Sequence, residues 1–462
     1  MAASLATRIA EQHAEAATSL PGDVVSRDRR RSAIETLAVE GLPTTRDENW
    51  KYANLRPLDK VRFAPPVVAK GGASPNVTLT DLPAAVEGYA RYVFVDGVFA
   101  AALSSPVGKA GITVTSLHDS RTAAESTAAP DIVRANASSL RPTTAHSPTG
   151  SAARMPSKDA RFALLNDAFA TDGASIRVAP GTDCPTCIEL VFVAQVESQT
   201  ASSYPRVELH VEPNARVGLI ERHVSVGSGA NFVNASVRVD IARGATVNHY
   251  LVQESGAKAV WFNTLSAILA QDAVYKLHCV NVGGLSARST INVQLAGERA
   301  DASISMASLG DRQQIQDAFV LVEHVAPRAH STQTFRGIAA GRARVAFNGM
   351  VVVRKDAQGT DSQQSLRGLL AGPDAEIDVR PQLEIYTDDV RCAHGATAGK
   401  LDDNMLFYLL SRGIDAATAQ RLLKWAFLED VVAKIEVPEL RRQIERSLAG
   451  QMQDAAALKE LL

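Results

Sequence analysis

Aromatic residues are scarce in this chain: Phe, Trp and Tyr make up 5% of 462 residues, against a hydrophobic fraction of 46%. A core filled mainly by Val, Ile, Leu and Ala suits thin stacked layers better than a thick aromatic-filled sandwich. Cysteine is rarer still. Four unevenly spread residues, Cys184, Cys187, Cys279 and Cys392, do not suggest a disulfide framework and fit a chain whose thiols stay reduced. Excess charge of one sign is missing too. The 48 Lys and Arg nearly balance 50 Asp and Glu, for a formal net charge of −2, so no basic stripe is expected to hold nucleic-acid phosphates. The short cluster Arg27, Arg29, Arg30, Arg31 reads as a solvated helix face. No run approaches the roughly 18 apolar residues of a membrane span. The opening MAASLATRIAEQHAEAATSL is interrupted by Arg8, Glu11, Gln12 and His13, so it lacks the apolar centre of an export signal. Together these features predict a cytoplasmic protein without membrane or nucleic-acid partners. No G-x-x-x-x-G-K-[ST] loop is present, which argues against nucleotide binding by a P-loop. No G-x-S-x-G elbow is present either.

What is there has a clear order. The length predicts more than one domain, or one elongated domain with appendages. Residues 1 to about 42 read as two helices, ended by Gly41 and Pro43. Trp50 and Tyr52 follow in a polar loop, where such aromatics usually pin the loop to a core. Arg91 to Ala100 reads as a hairpin with Asp96-Gly97 as its turn. Residues 118–172 form an Ala/Ser/Thr/Pro-rich connection ending in a helix from about Asp159 to Ala170. From about Gly173 the texture changes to short Val- and Ile-bearing runs. A turn residue followed by Ala recurs at Asn214-Ala215, Gly244-Ala245, Asp272-Ala273, Arg299-Ala300 and Arg328-Ala329. The spacing of roughly 27 to 30 residues signals stacked repeats, each too thin to bury its own apolar side. The lack of intervening amphipathic helices argues against a βαβ sheet, and a β-solenoid is favoured over a sandwich.

The stretch Leu383 to Gly413 organises the rest. Leu383, Ile385 and Val390 alternate as in a strand. If that strand continues, Cys392 and His394 look out from one face. Gly395 and Gly399 are expected to break it. A thiolate and an imidazole side by side suit iron or zinc, but two ligands make half a site, since a cluster or a structural zinc usually takes four. Asp402 or Asp403 then caps a helix ending before Gly413, a second helix covers Asp415 to Asp430, and a third starts near Pro438. Leu422, Leu423 and Phe427 form an apolar stripe on the second helix, equally suited to docking a partner or to packing on the solenoid end.

The run DDVRCAHGATAGKLDDNMLFYLLSRGI resembles the C-terminal signature of the SufB/SufD family of SUF iron–sulfur assembly proteins. PQLEI (Pro381–Ile385), FNGMVVV (Phe347–Val353) and TRDENWKYANL (Thr45–Leu55) extend the likeness over most of the chain. Gly395 and Gly399-Lys400 stand where SufB usually carries Glu and Ser-Lys, which favours the SufD branch. The resemblance implies a mostly β protein. Its right-handed parallel β-helix over 173–399 would be flanked by an N-terminal helical and mixed region (1–117), the 118–172 connection and a C-terminal helical, partner-docking region (400–462). It implies a non-catalytic scaffold that pairs with SufB and docks the ATPase SufC through its C-terminal helices. Iron or a nascent cluster would be held at the SufB boundary, with His394 and Cys392 as this chain's ligands and Leu422, Leu423 and Phe427 as the docking stripe. A homodimer of the isolated chain is the alternative assembly.

Other readings compete. A β-helix enzyme acting on polysaccharides or acyl groups would want sugar-stacking aromatics or a six-residue repeat, and neither is present. Cys184-Pro185-Thr186-Cys187 is a C-x-x-C, but it precedes a strand rather than opening a helix, and no second pair completes a zinc site. Cys279, in the alternation Tyr275, Leu277, Cys279, reads as a small inward hydrophobe. His210, His223, His249 and His278 lie on strand runs where surface or hydrogen-bonded roles suffice. Glu323-His324 and His330-Ser331 leave an acid–base site open.

Overall fold

The computed structural model describes residues 4–66, 77–118, 158–195 and 201–452. Most of the 118–172 connection therefore lies outside the described residues. From β4 (Gly173–Val178) to β20 (Val390–Gly399) the chain winds as a β-solenoid of about seven turns. One ten-stranded sheet ends with β16 (His330–Ala339), β18 (Thr360–Leu370) and β20. The facing sheet ends with β17 (Arg344–Val353) and β19 (Glu376–Ile385). Neighbouring strands within the coils run parallel, and paired residues lie between 26 apart (Val260 and Ser286) and 33 apart (Gly173 and Arg206).

The repeated Ala motif is the corner of each coil. Asn214, Gly244, Asp272, Arg299 and Arg328 all adopt positive φ, between 56° and 67°. Each backbone N–H donates to the corner of the next coil, as Gly244 does to Gln271 O at 2.9 Å and Asp272 to Glu298 O at 2.9 Å. The Ala that follows is buried in every case, because only a methyl fits where the two sheets close. Between the sheets Val, Leu, Ile and Ala stack with Cys279 among them, so that thiol is the inward hydrophobe expected.

Both outer faces are partly covered. On one, helices α1 (Leu5–Ala16), α2 (Arg27–Glu40) and α3 (Arg161–Phe169) and the loop around Trp50 pack on Phe232, Val260 and Phe262. Trp50 is the pin. It stacks on Phe162 at 5.0 Å and carries Arg288 over its ring at 4.3 Å. Its Nε1–H donates to Asp159 Oδ1 at 2.7 Å. The expected hairpin joins the other sheet: β1 (Ala90–Val95) pairs antiparallel with β2 (Val98–Phe99), with Asp96 and Gly97 both at positive φ. On that sheet's outer face lie α5 (Ala416–Val432) and α6 (Pro438–Gln451), which bury Leu428, Val431, Val432, Leu440, Ile444 and Leu448. Arg336 fastens α5 through Asp430 at 2.8 Å. Before them, α4 (Asp403–Ser411) is capped by Asp402, whose carboxylate accepts from the Asn404 and Met405 N–H groups. It packs against α5 and buries none of its own residues.

Candidate functional site

The solenoid is closed at its start and open at its end. β19 and β20 are the terminal strands of the two sheets, and no residue from 376 to 400 is buried. One coil earlier the inward positions Phe347, Val351, Val353 and Leu366 are fully covered. Here the inward Ile377, Val379, Leu383 and Val390 rest half-covered on the interior core. Each forgoes part of the roughly 1.5–3 kcal/mol that full burial of such a side chain contributes. Among the described residues no further strand pairs with the outer edge of either.

Cys392 and His394 stand on this open coil. The turn 386–389 separates β19 from β20, so Leu383 and Ile385 belong to a different strand from Cys392. The extended run then continues through Gly395 and ends at Gly399, rather than breaking at the first glycine. Strand alternation puts Cys392 and His394 on the inward face about 7 Å apart at Cα, directly over Ser362 and Gln364 of the coil below. The thiol is half-buried and the imidazole exposed. Burial, and then the Asp361 carboxylate, push the Cys392 thiol up, while a Ser362 backbone hydrogen bond works the other way. The thiol is therefore protonated at neutral pH. Among the described residues no three His, Cys, Asp or Glu side chains are grouped to hold a metal ion. The donor set is right for iron or zinc and too small to complete a shell.

A family profile described as "SUF system FeS cluster assembly, SufBD core domain" matches residues 192–427. The iron–sulfur cluster assembly protein SufD of Escherichia coli K12 is 31% identical over 89% of both chains. An iron–sulfur cluster assembly SufBD family protein of Synechocystis is 25% identical over 92% of this chain and 91% of its own. The chain belongs to the SufBD family. Its role is accordingly in SUF iron–sulfur cluster assembly. No helix among the described residues is long and apolar enough to cross a membrane.

In this SufBD chain the other candidates fall elsewhere. Leu422, Leu423 and Phe427 are half-buried on α5, Phe427 leaning on the same cluster as Leu428. The exposed large side chains beside them are on α4: Met405, Phe407 at 72% and Tyr408 at 56% exposure. His324 and Ser331 do meet, with the hydroxyl at 2.8 Å from Nε2. Both are sealed inside the solenoid, and among the described residues His324 Nδ1 has no hydrogen-bond partner, so no triad is formed there. Cys184 is half-buried and Cys187 fully buried at the start of β5 (Asp183–Gln195).

Sequence reasoning missed an interior charge. Glu221 and His223 on β8 (Arg216–Val226) and His249 on β10 (Thr246–Ser255) face into the solenoid. His223 Nε2 donates to one Glu221 oxygen at 2.7 Å and His249 Nε2 to the other at 3.2 Å. The Tyr275 hydroxyl closes the chain on His249 Nδ1 at 2.9 Å. Burial alone would raise the Glu221 carboxyl, but the two imidazole donors outweigh it and hold it at about 2. The available signal was parity: Glu221 and His223 continue the inward set Val217, Leu219.

Proposed function

We propose that this chain is a scaffold subunit that contributes an incomplete coordination shell, at the open end of its solenoid, to iron or a nascent cluster handled as cargo. The observation that carries the reading is the uncapped last coil, where Cys392 and His394 share a face with half-covered apolar side chains. A solenoid end needs a cap. Here the cap would be the matching end of a related chain, SufB, which would cover Ile377, Val379, Leu383 and Val390 and bring the missing ligands. A second copy of this chain would offer the same edge and is the competing assembly. The C-terminal helices would dock the ATPase SufC, with the exposed Phe407 and Tyr408 of α4 continuing the half-buried edge of Leu422, Leu423 and Phe427. Movement of that ATPase would then open or close the boundary through a shared interface. The chain itself would act in the cytoplasm and catalyse no step.

The test is anaerobic co-expression of the His394→Ala chain with SufB and SufC. The complex should assemble with unchanged stoichiometry, while iron and sulfide per complex fall by about tenfold or more, the scale on which losses around a metal site register. An unaltered cluster yield would remove His394 from the site.

A further inference from the structure

The C-x-x-C at residues 184–187 sits in a built irregularity. β5 pairs with β8 in register at Asp183 with Arg216 and Cys184 with Val217, and resumes at Ile188 with Leu219. Pro185, Thr186 and Cys187 therefore all face the single residue Gly218, and the chain loops outward between two adjacent rungs. The partners Val217 and Leu219 are two residues apart, so Cys184 and Ile188 are held about 7 Å apart at Cα. Cys187, one residue inside that loop, is in reach of the roughly 4.4–6.8 Å separation a disulfide requires. The loop is seated against two neighbours. A side chain at Gly218 would put its Cβ 1.8 Å from Pro185 O, so the bulge lies directly on that glycine. The Tyr89 hydroxyl, close to the same glycine, donates to Pro185 O at 3.4 Å. Both sulfur-bearing side chains pack into the same interior cluster, Cys187 fully covered and Cys184 half-exposed to solvent.

We propose that Cys184 and Cys187 form an intrachain disulfide when the protein meets a peroxide, with Cys184 the attacked thiol and Cys187 the resolving one. The Cys184 sulfur takes an oxygen from the peroxide, giving a sulfenic acid and one water. The Cys187 sulfur then displaces that oxygen as a second water, so two thiols lose two electrons and two protons and the peroxide is fully reduced. The unequal exposure of the pair sets this order. Burial, and then the neighbouring Cys184 thiol, push the Cys187 thiol up, which keeps it protonated and leaves the first attack on the peroxide to the more exposed Cys184. Cys279 is sealed in the core, and Cys392 lies on the last strand of the sheet in which β5 is near the start. The modification therefore belongs to the end of the solenoid away from the assembly edge and does not depend on the function proposed there.

The experiment treats the intact folded chain with one equivalent of hydrogen peroxide, blocks free thiols after denaturation, and maps the peptides by mass. The peptide holding residues 184–187 should be two hydrogens lighter and take no alkylating agent. It should take two after reduction, while Cys279 and Cys392 are alkylated as in untreated protein. A peptide carrying added oxygen instead, or both cysteines still alkylated after the peroxide is consumed, would overturn the proposal. With Cys187→Ser the same treatment should leave a dimedone-reactive sulfenic acid at Cys184. A variant that takes no dimedone there would overturn the assigned order.

Discussion

His278 and His324 are buried bases held neutral by the fold. Burial lowers His278 to about 4 against the opposing pull of Glu436, and burial lowers His324 to about 4 as well. Both folded-state values lie below the ordinary 6.5, so the unfolded chain takes up protons first as the pH falls. Their contribution is complete above pH 6.5 and is lost progressively down to pH 4. Glu221 behaves differently, since its value of about 2 keeps its contribution intact until the pH drops below the ordinary carboxyl range near 4.5. Between pH 7.5 and pH 5, urea unfolding of the wild type should therefore lose about 2 kcal/mol for each histidine. His278→Gln should lose about half as much over that range, and parallel curves for the two proteins would contradict the assignment. The histidines were visible on strand runs, but their side of the sheet was not. His223, His249 and His324 face inward and His278 outward under α6, and one uncertain register step reverses every such assignment.

At the scale of elements, the spaced Ala motif was the strongest signal. It marks a backbone requirement, a positive-φ corner followed by a methyl, and such local needs are written into single residues. The boundary between β19 and β20 was not legible. The turn 386–389 carries two aspartates but no Gly or Pro, so the alternation seemed to run on from Leu383 into Cys392. The helices were clear from their caps at Asp402, Asp415 and Pro438. Which of their faces stays open was not, because half-covered Leu423 and Phe427 and exposed Phe407 all look apolar in a string of letters. The structure separates them. Phe407→Glu with Tyr408→Glu should leave the unfolding free energy within about 0.5 kcal/mol, as befits exposed positions, and abolish co-purification of the ATPase. Retained binding would move the docking surface away from α4.

For the whole molecule, the decisive asymmetry is between a start covered by the N-terminal region and an end left bare. Composition predicted the largely aliphatic core between two sheets; the aromatics that are present divide between that interior, as Phe192, Trp261, Phe335 and Phe347, and the outer face around Trp50 and Phe262. The expectation that the Cys392–His394 pair is half a site came from the sequence as well, because too few cysteines exist to finish a shell within one chain. What the sequence could not convey is that these two side chains stand over an uncovered core. In the proposed assembly that position would join ligand supply to subunit pairing, so that cargo binding and assembly would depend on one surface. The most direct measurement is anaerobic iron binding by the monomeric chain alone and by its complex with SufB and SufC. Stoichiometric iron held only by the complex, and lost with His394→Ala, is the predicted result; tight stoichiometric binding by the isolated monomer would contradict the account.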